Sequence, residues 1–138
     1  MNNLFVDTSG WASLFVANQF HYPQAEHHFR LALKQKRKIY TTNYIIAELV
    51  ALLNSPLRVS RARVFEIIDA IKTAEYIDII YINNKQDAMA WELCKGRIDK
   101  AWSLVDCTSF VIMQQLGIQD ALTTDQHFEQ AGFVRLLK

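Results

Sequence analysis

The sequence predicts an α/β fold in which a mainly parallel sheet is covered by helices on both faces. Three observations carry this. Short β-branched or aromatic runs alternate with segments of helical periodicity from end to end, and capping residues stand at the breaks between them. The third is that 51% of the 138 residues are hydrophobic, enough to bury one sizeable core.

Taken in order, Asn3 to Val6 is a short apolar strand, and Asp7-Thr8-Ser9 suits the start of a helix through Trp11, Leu14 and Phe15. Pro23 fits the first turn of a second helix, in which Ala25, Phe29, Ala32 and Leu33 recur at helical spacing. Ile39-Tyr40-Thr41 is strand-like, and Thr42-Asn43 caps a helix through Ile46, Leu49, Val50 and Leu53. Asn54-Ser55-Pro56 breaks the chain before Ser60 caps a helix running to about Thr73. Ile77 to Ile82 is the clearest strand. Helices over about Lys85 to Cys94 and Leu104 to Leu116 end at Gly96 and Gly117, both suited to C-caps. Ala121-Leu122-Thr123 is a strand, Gln126 to Gln130 a short helix stopped by Gly132, and Phe133 to Leu137 the last strand.

Composition removes several classes. With 4 Gly, 2 Pro and a net charge of +1, the chain is neither fibrous nor disordered. No apolar run approaches the roughly 20 residues that span a bilayer. No basic lead-in or cleavage site precedes Leu4, so a cytoplasmic protein is expected. Without repeats, low-complexity tracts or linkers, residues 1–138 read as a single domain. Cys94 and Cys107 lie in apolar helical patterns without CxxC spacing, which suggests neither a disulfide framework nor a cysteine zinc site.

The net charge hides its distribution. Residues 1–29 hold Asp7 and Glu26 and no Lys or Arg, while residues 30–63 hold 8 basic residues against Glu48 alone. Residues 64–138 carry 7 basic and 11 acidic residues. A basic block of this kind suits a phosphate backbone, with Lys36, Arg37, Lys38, Arg58 and Arg61 as candidate contacts and Lys100 as a further one.

Four acids have apolar neighbours. Asp7 follows Leu4-Phe5-Val6, Glu48 sits within Ile45-Ile46-Ala47-Glu48-Leu49-Val50, Asp106 follows Leu104-Val105, and Asp125 closes Ala121-Leu122-Thr123-Thr124. Charged groups are rarely buried unpaired, so these need an explanation. Taken singly, Asp7 and Asp125 suit N-caps, Ser103 to Asp106 matches a capping box, and Glu48 suits a surface residue. Taken together, two stand at the carboxyl ends of strands and two in the first halves of helices that pack on the same sheet, which can bring all four to one end of it. Clustered carboxylates repel unless a cation neutralises them, and hard oxygen donors select Mg²⁺ or Mn²⁺.

The segments LFVDTSGWASLF, TTNYIIAELVALL, DKAWSLVDCTSFVIM and DALTTDQHFEQAGF resemble the PIN-domain family, in particular the ribonuclease toxins of VapC-type toxin–antitoxin pairs. The likeness extends over nearly the whole chain, and Asp-Cys-x-Ser-Phe followed by Thr-x-Asp-x-His-Phe-x-x-Ala-Gly-Phe is its most specific part. The resemblance implies a three-layer α/β/α sandwich around a parallel sheet of about five strands. It places an acidic metal and catalytic site on Asp7, Glu48, Asp106 and Asp125, supported by Thr8 or Ser9 and by Ser109. It also implies a Mg²⁺- or Mn²⁺-dependent endoribonuclease, kept inactive by a cognate antitoxin protein and usually a homodimer, that cleaves RNA by metal-activated water.

Other sets are set aside. His27 and His28 point to different helix faces, and His127 reads as a helix residue near the site, not as a catalytic group. Cys107 reads as a small core residue, and Trp11, Trp91, Trp102 and the Phe residues at helical spacing read as core or dimer contacts, not base-stacking platforms. Asp7-Thr8-Ser9 lacks the second Asp of a haloacid-dehalogenase-type phosphatase, and no glycine-rich phosphate loop exists. Two rivals remain: a non-catalytic PIN-like module that binds RNA or protein, and a phospho-acceptor receiver domain, whose acidic pair and later Lys are not found.

Overall fold

The first strand carries no polar side chain because it is covered on both faces: β1 (Leu4–Val6) is wholly buried. In the computed structural model, which describes residues 2–138, it lies at the centre of a five-stranded sheet in the order β3-β2-β1-β4-β5. Its neighbours are β2 (Ile39–Thr42) and β4 (Asp120–Leu122), with Leu4 opposite Ile39 on one side and Asp120 on the other. The half-buried β3 (Ile77–Ile80) and the two-residue β5 (Val134–Arg135) form the edges. Every pairing is parallel, as alternating strands and helices require.

Seven helices among the described residues supply the crossovers. They are α1 (Thr8–Phe15), α2 (Tyr22–Lys34), α3 (Asn43–Asn54), α4 (Arg61–Thr73), α5 (Asn84–Gly96), α6 (Leu104–Leu116) and α7 (His127–Gln130). Strands β1, β2 and β3 step outward in one direction and β4 and β5 in the other. Right-handed crossovers therefore put α1 to α4 on one face and α5 to α7 on the other. The first group packs around Trp11, whose ring meets Phe15 and Phe29 and whose Nε1 donates to Thr41 Oγ1 (3.1 Å). The second packs around Phe110, which contacts Trp102, Phe128 and Phe133.

Several sequence expectations need adjustment. Gly117 does end α6 in the left-handed region (φ 66°), but Gly96 is the last residue of α5 and lacks a positive φ. Ile77 to Ile82 stops pairing at Ile80, because the Ile82 N–H turns to the Asn43 side chain (2.8 Å). The Cys94 and Cys107 thiols face each other at 3.0 Å across α5 and α6. Burial pushes the Cys107 thiol up to about 12, which removes it as a nucleophile. Among the described residues no helix is long and apolar enough to cross a membrane.

Candidate active site

The strand order reverses between β1 and β4, and a parallel sheet opens a crevice beyond its carboxyl ends at such a point. Asp7 leaves β1 there and stands at the N-cap of α1, yet its side chain makes no capping bond. Asp7 Oδ2 instead accepts from Thr123 Oγ1 of the neighbouring strand end (2.9 Å) and, at 3.5 Å, from Ser9 Oγ. The carboxyl is 5% exposed. Burial pushes its pKa up to about 7, and the Asp106 and Glu48 charges add to this against hydrogen bonds from the Thr8 backbone and Thr123.

Glu48 reaches the same place from the second turn of α3, whose start is fixed by Thr42 Oγ1 accepting from the Ile45 N–H (3.1 Å). The Thr8 hydroxyl donates to Glu48 Oε1, tying α1 to α3. Asp106 is the third residue of α6, in a complete capping box: Ser103 Oγ accepts from the Asp106 N–H (3.0 Å), and Asp106 Oδ2 accepts from the Ser103 N–H (3.1 Å). The capping reading holds for this residue, and the box leaves its second oxygen unused and free to face the cleft. Asp125 follows β4, with its N–H on Thr123 Oγ1 (3.0 Å) and its Oδ1 accepting from the His127 N–H (2.9 Å).

That last bond folds the His127 ring back onto the acids. His127 Nδ1 lies 3.1 Å from Asp106 Oδ2 and 3.3 Å from Asp125 Oδ1, a geometry that suits an N–H shared between two carboxylates. One ligand atom each from Asp106, Asp125 and His127 fall within 4.8 Å of one another. Sequence reasoning left His127 out; the Asp-x-His spacing was the available signal, because an Asp side chain capping the N–H two residues on turns that residue toward it.

The four acids, Thr8, Ser9, Ser103 and His127 all line one cleft of about 550 Å³. Ser9 Oγ bonds Thr123 Oγ1 (3.1 Å) and accepts from the Thr124 N–H (3.0 Å), so it braces the loop after β4 against α1. Ser109 lies one turn beyond Asp106, fully buried, and its hydroxyl has no hydrogen-bond partner among the described residues.

The basic candidates divide. Lys36, Arg37 and Lys38 precede β2 at its amino end, the opposite pole of the sheet from the cleft. With 4 residues in β2, that is about 13 Å along the strand alone at roughly 3.3 Å per residue. Arg37 is used there as a staple, pairing with Asp120 (2.8 Å) and the Asn3 carbonyl (3.1 Å), and Lys38 pairs with Asp78 (3.6 Å). The contiguous sequence block is thus split in space, because the chain crosses the sheet between Lys38 and Arg58. Arg58 follows Leu57 beside the cleft end of the molecule, Arg61 lies over the Phe65 ring (5.0 Å), and Lys100 precedes Ala101, which lines the cleft.

A parallel sheet in this order, with acids gathered at its carboxyl edge, is a PIN domain: the model of that family matches residues 4–134, and the chain belongs to it. Over 133 residues it is 32% identical to the 23S rRNA-specific endonuclease VapC20 of Mycobacterium tuberculosis, covering 96% of this chain and 97% of that protein. The crystal structure of the same VapC20, described as a sarcin-ricin loop cleaving toxin, matches with a TM-score of 0.86 at 30% identity over 99% of this chain and 100% of that one. PAE2754 from Pyrobaculum aerophilum matches with a TM-score of 0.66 at 15% identity, over 98% and 90% of the two chains, a likeness of fold alone.

Proposed function

We propose that the chain is a divalent-metal-dependent endoribonuclease whose site is Asp7, Glu48, Asp106 and Asp125 with His127. The observation that carries this is the convergence of those five side chains on one cleft at the carboxyl ends of β1 and β4. A buried carboxyl with a raised pKa beside three other acids fits a cation, and a donor set of carboxylate oxygens suits Mg²⁺ or Mn²⁺. When bound, such an ion activates water and offsets the charge that develops on a phosphate.

The residues themselves do the positioning. Thr123 and Thr8 fix Asp7 and Glu48 by hydrogen bonds, so neither carboxylate must reorganise when a phosphate arrives. His127 holds Asp106 and Asp125 together and offsets part of their repulsion. Arg58, which follows the Leu57 of the neighbouring pocket, and Lys100, which precedes the cleft-lining Ala101, are the candidates to hold the RNA backbone, with Arg61 as a third. The VapC20 likeness supports a ribonuclease toxin and makes 23S rRNA the first substrate to try; a cognate antitoxin, a homodimer and a cytoplasmic location are proposed along with it.

Induced expression of wild type beside Asp106→Asn, with sequencing of RNA ends, tests the reading. Growth arrest and new internal RNA ends are expected from wild type alone. Equal arrest by both forms, without new ends, would instead favour a non-catalytic binding module.

A further inference from the structure

We infer that a second compartment beside the acidic cleft receives one nucleobase of the RNA, next to the phosphate that is cut; this rests on the ribonuclease reading above. The compartment has a volume of about 260 Å³ and shares Ser9, Leu52 and Thr124 with the cleft, so one layer of side chains separates its contents from Asp7. That partition is held in place, because Ser9 Oγ is bonded to both Thr123 and Thr124.

Its rim is built from the loop between α1 and α2. Phe20 is 87% exposed there, its ring available to a stacking partner. The ring meets His21 edge to face, with centroids 4.9 Å apart and planes at 75°. His21 lines the compartment beside it. Leu57 supplies an apolar wall, and Arg58 follows it directly. A planar, apolar-faced ligand with an adjoining phosphate fits the exposed ring, the apolar wall and the neighbouring guanidinium together. An unstacked RNA base has that chemistry, and proteins hold such bases by stacking on exposed aromatics and bonding their edges. The compartment admits one such ring system and is too small for a helix of a protein partner.

The test uses the full chain in two arms. In the first, a pool of short single-stranded RNAs carrying iodouridine is photo-crosslinked to the Asp125→Asn form, and the linked peptides are mapped by mass spectrometry. Attachment to the Phe20–His21 peptide is expected, and Phe20→Ala removes it. In the second, wild type, Phe20→Ala and His21→Ala cut a randomised RNA pool with Mn²⁺, and the ends are sequenced. Wild type should prefer one base at a fixed position beside the cut. Phe20→Ala, which changes an exposed residue and so leaves folding intact, should weaken that preference on the order of tenfold. Tyr76→Ala, an aromatic change at the amino ends of the strands, should keep it.

Cutting by wild type with no crosslink at Phe20–His21, and with the preference unchanged in both variants, overturns the base compartment and leaves the ribonuclease reading standing. Crosslinking at Phe20–His21 with no cutting by any form supports the compartment and overturns the ribonuclease. Neither crosslinking nor cutting overturns both.

Discussion

Asp7 is 5% exposed and its carboxyl is raised to about 7 by burial first and by Asp106 and Glu48 after it. An acid whose folded pKa lies above its unfolded value of 3.8 binds protons more tightly in the native state, so metal-free stability falls as pH rises from about 4 to 7. The full cost at pH 8 is on the order of 4 kcal/mol. Asp7→Asn should therefore abolish metal-dependent RNA cleavage and yet raise the metal-free Tm at pH 8, by on the order of 10 °C. A scan with and without Mn²⁺ checks both signs, since the ion should stabilise wild type and not the variant. His127 acts on two carboxylates at 3.1 and 3.3 Å. His127→Ala should weaken Mn²⁺ binding by about tenfold or more, measured by calorimetry. Both residues were legible to different degrees. The apolar runs around Asp7 and Asp106 marked those acids in the sequence, whereas His127 joins the cluster through a backbone turn that composition does not display.

The elements were legible where a local rule decides them. Ser60, Ser103 and Thr42 cap their helices as their types suggest, because a hydroxyl accepting a backbone N–H needs only local geometry. Asp7 holds an N-cap position without capping, because Thr123, distant in sequence, takes its oxygen. Long-range pairing also explains Gly10, which carried no signal in the sequence. A Cβ there would meet the Leu122 carbonyl oxygen at 2.0 Å, so the glycine lets α1 lie against β4. That approach sets Thr8 and Ser9 against Glu48 and the β4 loop. Gly10→Ala should cost about 3 kcal/mol in denaturant unfolding, and cleavage should fall further than the lost folded fraction accounts for.

At the scale of the whole molecule, the sequence order of charges misleads. The basic block divides, with Lys36 to Lys38 at the amino ends of the strands and Arg58 after the Leu57 that lines the pocket beside the cleft. Parallel topology does this: each strand carries the chain from one pole to the other. Arg58→Glu should weaken RNA binding and lower the salt slope by about 1, while Lys36→Glu leaves both unchanged. A filter-binding series in salt separates them.

The central claim is that this acidic cluster hydrolyses RNA with a divalent ion. The most direct measurement is cleavage of 23S rRNA by purified wild type and Asp106→Asn, with Mn²⁺ or with EDTA, followed by analysis of the chemistry of the ends. Attack by water predicts internal cuts with 5′-phosphate and 3′-hydroxyl ends, made by wild type with Mn²⁺ and absent with EDTA or with Asp106→Asn. Cuts that persist in EDTA, or that leave 2′,3′-cyclic phosphates, would contradict the account.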